Sequence, residues 1–311
     1  MFSTISTAAA RFSQVRPLSF IGVPADSVSR GGGAELAPAA LRELGLPDAL
    51  GGGDGGDLPV RIRGEQRDPE TGLLASADVL ATTTAVRTAV LERIAVGERP
   101  FVAGGCCALL PGALAGARDA LGEIGLVHLD GHADLYDGDT STSGEAADMP
   151  ISAALGLGPS AWVEVAGGPS VRGDRTVLLG YRDREESIRD GMRQPEELDS
   201  PPLLCPIEEM RDIGSAAAAD WAAGKLGDDM PHWVHFDVDV LDQGVFPATA
   251  YLMPNGLDWN ELGAALGTLL ASPSLIGASL GCYDPSADIE NQYGERLVET
   301  IGRAAGQRTM S

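Results

Sequence analysis

Short apolar runs recur along this chain, each set apart from the next by a stretch long enough to hold a helix. The runs are Leu18 to Val23, Val60-Arg61-Ile62, Pro100 to Ala103, Gly125 to Leu129, Thr176 to Gly180, Leu203 to Pro206, Trp233 to Val238 and Leu275 to Gly281. A strand buried on one face alternates apolar with polar residues, whereas a strand buried on both reads as a continuous apolar run. The pattern predicts an α/β fold with a roughly eight-stranded parallel sheet covered by helices on both faces. Between the runs, Pro38 opens a helix through Leu44, where its missing N–H costs nothing. From Ser76, read as an N-cap, to Val96, the residues Val79, Leu80, Thr83, Val86, Val90, Leu91 and Ile94 recur at three- and four-residue intervals. A further helix is expected from Leu109 to about Leu121. Gly51 to Gly56 reads as a surface excursion and Val60-Arg61-Ile62 as a brief edge strand.

No internal repeat or linker divides the chain. The expected organisation is a flexible extension over residues 1–16, rich in Ser, Ala and Thr and without the apolar stretch of a secretory signal, followed by one domain over 17–311. At 311 residues and 44% hydrophobic content the chain can bury a sizeable core. A formal charge of −23 argues against a nucleic-acid partner, which needs a basic face. No apolar run is long enough to span a bilayer. Four cysteines at this length, two of them the adjacent Cys106 and Cys107, make no disulfide framework and fit a reducing, cytoplasmic setting.

The chemistry concentrates where two of the predicted strands end. Gly125 to Leu129 runs into Asp130-Gly131-His132-Ala133-Asp134, in which Asp130, His132 and Asp134 occupy alternate positions and share one side of an extended backbone. His232-Trp233-Val234-His235-Phe236 likewise runs into Asp237-Val238-Asp239, with Asp242 beyond. Buried like charges need protons or a metal to neutralise them, so the two ends together point to a two-metal site. The remaining histidines have plainer readings: His128 and His235 as groups of the core or just behind the ligands and not ligands themselves, His232 as a strand-start surface residue. Cys205 reads as a small buried hydrophobe and Asp242 as a turn residue.

These motifs identify a resemblance to the ureohydrolase family of arginases, agmatinases and related amidinohydrolases, as a divergent member. It spans about Phe20 to Val298 and is carried by Ile21-Gly22-Val23-Pro24, Pro38-Ala39-Ala40-Leu41-Arg42, Gly104-Gly105, Asp130-Gly131-His132-Ala133-Asp134, Gly180-Tyr181-Arg182-Asp183 and Phe236-Asp237-Val238-Asp239-Val240-Leu241-Asp242. It implies a three-layer α/β/α sandwich assembled as a homo-oligomer, trimer or hexamer, acting on a small-molecule substrate. It also implies two divalent ions, Mn2+ in the family, bridged by hydroxide. Asp130 and Asp237 would bridge both ions, His132 and Asp239 would complete one site, and Asp134 would help complete the other and pass a proton to the leaving amine.

Three positions depart from the family pattern. The family's Gly-Gly-Asp-His is Gly104-Gly105-Cys106-Cys107 here, which puts a thiol where the first site has its histidine and admits Zn2+ or Fe2+ beside Mn2+. Cys282 stands where the family carries a glutamate that pairs with the substrate guanidinium. Ala147 replaces the loop histidine of some arginases, with Glu145 and Asp148 nearby as candidate substrate contacts. The expected function is metal-dependent C–N hydrolysis of a guanidino, hydroxyguanidino or amidino compound. The alternatives are a catalytically silent metal-binding member and a hydrolase of neutral amide-like substrates.

Overall fold

The computed structural model describes residues 16–28 and 33–306. The expected N-terminal extension lies, apart from Arg16, outside the described residues, as does part of the loop from Ser27 to Gly33. Eight parallel strands form one sheet: β1 (Leu18–Val23), β2 (Gly51–Asp57), β3 (Arg99–Gly104), β4 (Gly125–Leu129), β5 (Thr176–Leu179), β6 (Leu203–Cys205), β7 (His232–Asp237) and β8 (Leu275–Gly281), in the order β2-β1-β3-β8-β7-β4-β5-β6. On one face Phe20, Phe101, Val127, Val234 and Phe236 pack with the helices Ala37–Glu43, Ser215–Leu226, Trp259–Leu270 and Gln292–Ala304. On the other, Val102, Leu126, Leu178, Trp233 and Ile276 meet the helices Ser76–Ala95 and Leu110–Leu121. The result is a three-layer α/β/α sandwich, because a strand's side chains alternate between two buried faces. Among the described residues no helix is long and apolar enough to cross a membrane.

The edge of the sheet differs from its sequence reading. Gly51–Asp57 forms edge strand β2, and Val60 to Ile62 lies outside any strand. An exposed edge strand pairs on one side only and carries no apolar signature. Its glycines let it approach β1: a Cβ on Gly52 would stand 2.4 Å from the Leu18 carbonyl oxygen. Arg42 then holds the strand from its solvent side through Asp54 at 2.6 Å and Asp57 at 2.7 Å. Ser76 also departs from expectation. It is the first helical residue, preceded by Ala75 at φ 52°, and its hydroxyl accepts a hydrogen bond from Thr71.

The sheet order places the chemistry. The chain passes from β3 to β4 across a gap that β8 and β7 later fill, so the four central strands β3-β8-β7-β4 bring segments far apart in sequence to one carboxyl edge. Ligands of open α/β sheets bind beyond such an edge. Packing against Phe236 at a 6.5 Å centroid distance, the fully buried Phe101 ties β3 into this centre. Phe101→Ala is expected to lower unfolding free energy by about 3–5 kcal/mol, read from urea denaturation.

Candidate metal centre

Each strand end contributes through a local turn. Asp130 follows β4 and accepts a hydrogen bond from the His132 amide at 2.7 Å; Asp237 ends β7 and accepts one from the Asp239 amide at 2.9 Å. In both motifs the first aspartate ties down the turn that carries the next donor, which is why the spacing of two recurs. Cys107 follows β3 and Cys282 follows β8. Asp134 and Cys282 have φ of 54° and 67°, so two non-glycine residues at the centre hold left-handed backbone. The Gly180-Tyr181-Arg182-Asp183 motif braces the loops around them. Arg182 donates to the carbonyls of Asp239 at 2.7 Å, Leu241 at 3.2 Å and Pro254 at 2.9 Å, and Asp183 accepts from the Ala133 amide at 3.2 Å.

Three groups of donor atoms that could hold a metal ion converge here, and Asp130 belongs to all three. His132 Nδ1 lies 3.1 Å from Asp239 Oδ2 and 3.5 Å from Asp130 Oδ1. His128 Nε2 lies 3.3 Å from Asp130 Oδ2 and 3.4 Å from Asp134 Oδ2. Cys107 Sγ stands 2.7 Å from Asp237 Oδ2, 3.9 Å from Asp130 Oδ2 and 3.1 Å from His235 Nε2. Oxygen or nitrogen donors at about 2.1 Å from one cation sit roughly 3.0–3.4 Å apart, so the first two groups have the spacing of shared coordination. The donor set, mostly carboxylate with imidazole, fits a divalent cation.

Burial makes neutralisation, by cation or by proton, a physical need. Asp130, Asp134, Asp237 and Asp239 are all buried. Desolvation raises the carboxyls of Asp130 and Asp134 well above the usual range, with neighbouring aspartate charges adding to it, and raises Asp237 to about 7. Asp239 is desolvated too, but His132, with help from Asp130 and the Arg182 charge, outweighs that and holds it low. In turn His132 is pushed up against its own desolvation, chiefly by Asp239. Burial pushes the Cys107 thiol well up and His235 down to about 3. Without metal, these carboxylates can share the pocket only by taking up protons.

A cavity of about 340 Å³ opens over the centre, lined by Cys107, Asp130, His132, Asp134, Asp237, Asp239 and Cys282, and further out by Tyr136, Asp148, Asp183, Glu186, Asp190 and Tyr251. Of the three candidate substrate contacts, Asp148 and Cys282 reach this wall. Glu145 is buried behind it, its carboxylate accepting from the Tyr251 hydroxyl. Asp148 accepts from Ser141 at 2.7 Å and Ser143 at 3.3 Å.

His128, read from sequence as a strand-interior group, stands among the donors, and His235 contacts Cys107. The signal that could have found them is their phase: each sits two residues before a candidate aspartate, on the same side of its strand. His232 is buried at the start of β7, with Nδ1 3.0 Å from the Met230 carbonyl, and not on the surface as expected. Asp242 accepts from the amides of Gly244 at 2.8 Å and Gly256 at 3.3 Å and so anchors its loop.

The arginase family model matches residues 16–305. The chain is 26% identical over 308 residues to the arginase of Bacillus caldovelox, covering 95% of this chain and 100% of that one. A solved structure of arginase from the same organism superposes with a TM-score of 0.81 at 23% identity, covering 95% and 100% of the two chains. A Trypanosoma cruzi formiminoglutamase variant solved with Mn2+ superposes with a TM-score of 0.68 at 22% identity, covering 96% of this chain and 97% of that one.

Two carboxyls outside the donor groups also titrate upward through burial, Asp26 to about 6 and Asp148 to about 7. Because their folded-state values exceed the unfolded one, the stability they contribute is complete below about pH 4 and is lost as pH rises to 6–7. In metal-free protein Asp148→Asn should therefore gain melting temperature relative to wild type progressively from pH 4 to 7.5, as followed by thermal denaturation in chelator.

Proposed function

The chain belongs to the arginase family, and from that premise we propose that it is a metal-dependent hydrolase of a C–N bond in a guanidino, hydroxyguanidino or amidino compound, releasing urea or a related product. The observation that carries this reading is the convergence of buried carboxylates and imidazole on Asp130. Cys107, Asp130, Asp134 and Asp237 would hold one divalent ion, and Asp130, His132, Asp237 and Asp239 the other. Oxygen donors with imidazole suit manganese, the ion named with the Trypanosoma cruzi structure, while a Cys107 thiolate would draw its own site towards zinc or iron. Such a pair of ions supplies a hydroxide near neutral pH.

The remaining work falls to the chain. Asp134, itself a donor on the cavity wall, would take up a proton and pass it to the departing amine, so that the nitrogen leaves as a neutral base. Asp148, Asp183, Glu186 and Asp190 face the same cavity, and among the described residues no lysine or arginine does. Their summed field favours a cationic substrate, which supports a guanidinium or amidinium over a neutral amide. Cys282 meets that substrate as a buried thiol, a weak hydrogen-bonding group, so the carboxylate wall takes over the charge pairing that a glutamate at this position would make. Assembly into trimers or hexamers belongs to the same proposal.

Asp130→Ala and Asp237→Ala should each leave less than one metal per chain by elemental analysis, since each aspartate serves both ions; full two-metal content in either would contradict the dinuclear reading. In a urea-release assay, substrates with a cationic tail should be turned over with KM about tenfold or more below those with an anionic tail. Glu186→Gln should narrow that gap.

A further inference from the structure

The sheet carries an imidazole that the metal assignment above does not use. His128 lies in β4, paired in register with His235 of β7, and the two rings stack at 5.3 Å with 14° between their planes. They are not equivalent. His235 is engaged at both nitrogens, Nδ1 2.7 Å from Ser279 Oγ and Nε2 3.1 Å from Cys107 Sγ, and Ser279 Oγ is itself held by the Trp233 indole N–H at 2.9 Å. His128 is fully buried, and neither of its ring nitrogens has a hydrogen-bond partner. Asp134 Oδ2, 3.4 Å from His128 Nε2, is likewise buried without one.

Two orphaned donor atoms facing each other inside a fold are costly unless something binds both. An imidazolium ion pair would place an N–H on a carboxylate oxygen, yet Nε2 makes no hydrogen bond to either oxygen beside it. A cation lying between them, within reach of His128 Nε2, Asp130 Oδ2 and Asp134 Oδ2, would satisfy all three at once; the separations of 3.3 and 3.4 Å suit donors on one ion.

We propose that His128 is a direct ligand of the first metal ion, so that the nitrogen donor absent at Cys107 is supplied from inside strand β4, two residues before Asp130. This rests on the two-metal reading of the site and deepens it. Its consequence is chemical: with a neutral imidazole and carboxylates the first site keeps a donor set suited to manganese despite the thiol beside it. His235 and Ser279 then hold the Cys107 sulfur in place beside that site.

The test uses the full chain. Manganese binding is counted by calorimetric titration and elemental analysis for wild type and His128→Asn, with circular dichroism confirming the fold. Two ions in wild type and one in the variant support the proposal; two ions in both overturn it. A second measurement needs no folded variant. With 15N-labelled histidine and Zn2+ as a diamagnetic probe, the ring signals of both His132 and His128 should move on loading. Movement of the His132 signal alone while two ions bind overturns the role of His128. A wild-type chain that binds no ion would instead overturn the two-metal reading itself.

Discussion

Repulsion among carboxylates gathered away from water is the constraint on which the centre depends. Asp130, Asp134, Asp237 and Asp239 are buried within a few ångströms of one another, next to the imidazoles of His132 and His128. Asp130 and Asp237 are set by the register of β4 on β7 and Asp239 by the turn that Asp237 holds, so three of the four carboxylates are fixed by the sheet. A fold stabilised by only about 5–15 kcal/mol cannot carry several unpaired buried charges, so the centre is built to be neutralised from outside. Protons or cations can do this, and only cations leave the carboxylates ionised.

The same constraint explains the scaffold around it. Arg182 donates its hydrogen bonds to backbone carbonyls, bracing the loop after β7, while its charge adds to what holds Asp239 low. The outer wall is acidic as well, so a cationic substrate would be drawn towards the centre and an anionic one turned away. At Gly281 an added Cβ would lie 3.0 Å from Cys107 Sγ and 3.2 Å from Asp237 Oδ2, so the bare backbone of β8 is what lets thiol and carboxylate meet.

Seven of the eight strands were legible because burial on both faces writes continuous apolar runs, as in Leu275 to Gly281. Edge strand β2 was not: its Gly-Gly-Gly-Asp-Gly-Gly-Asp sequence pairs through backbone alone, and a solvent-facing edge leaves no hydrophobic trace. The aspartates of the centre were legible through their alternation at strand ends. His128 and His235 carried only the weaker signal of their phase with Asp130 and Asp237, since an imidazole inside an apolar run otherwise looks the same whether it fills a core or faces a site. What separates the two is which strands become neighbours, and in the β3-β8-β7-β4 order β3 meets β8 and β4 meets β7 across more than a hundred residues. Glu145 illustrates the reverse: its place in a polar loop suggested contact with substrate, and its pairing with Tyr251 behind the wall is a tertiary fact.

The central claim is that two cations flank Asp130. Anomalous diffraction at the manganese absorption edge, from crystals grown with Mn2+, tests it most directly. The account predicts two peaks about 3.5–4 Å apart on either side of the Asp130 carboxylate, one beside His132 and Asp239 and the other beside Asp134. A single peak, or none within reach of Asp130, would contradict it.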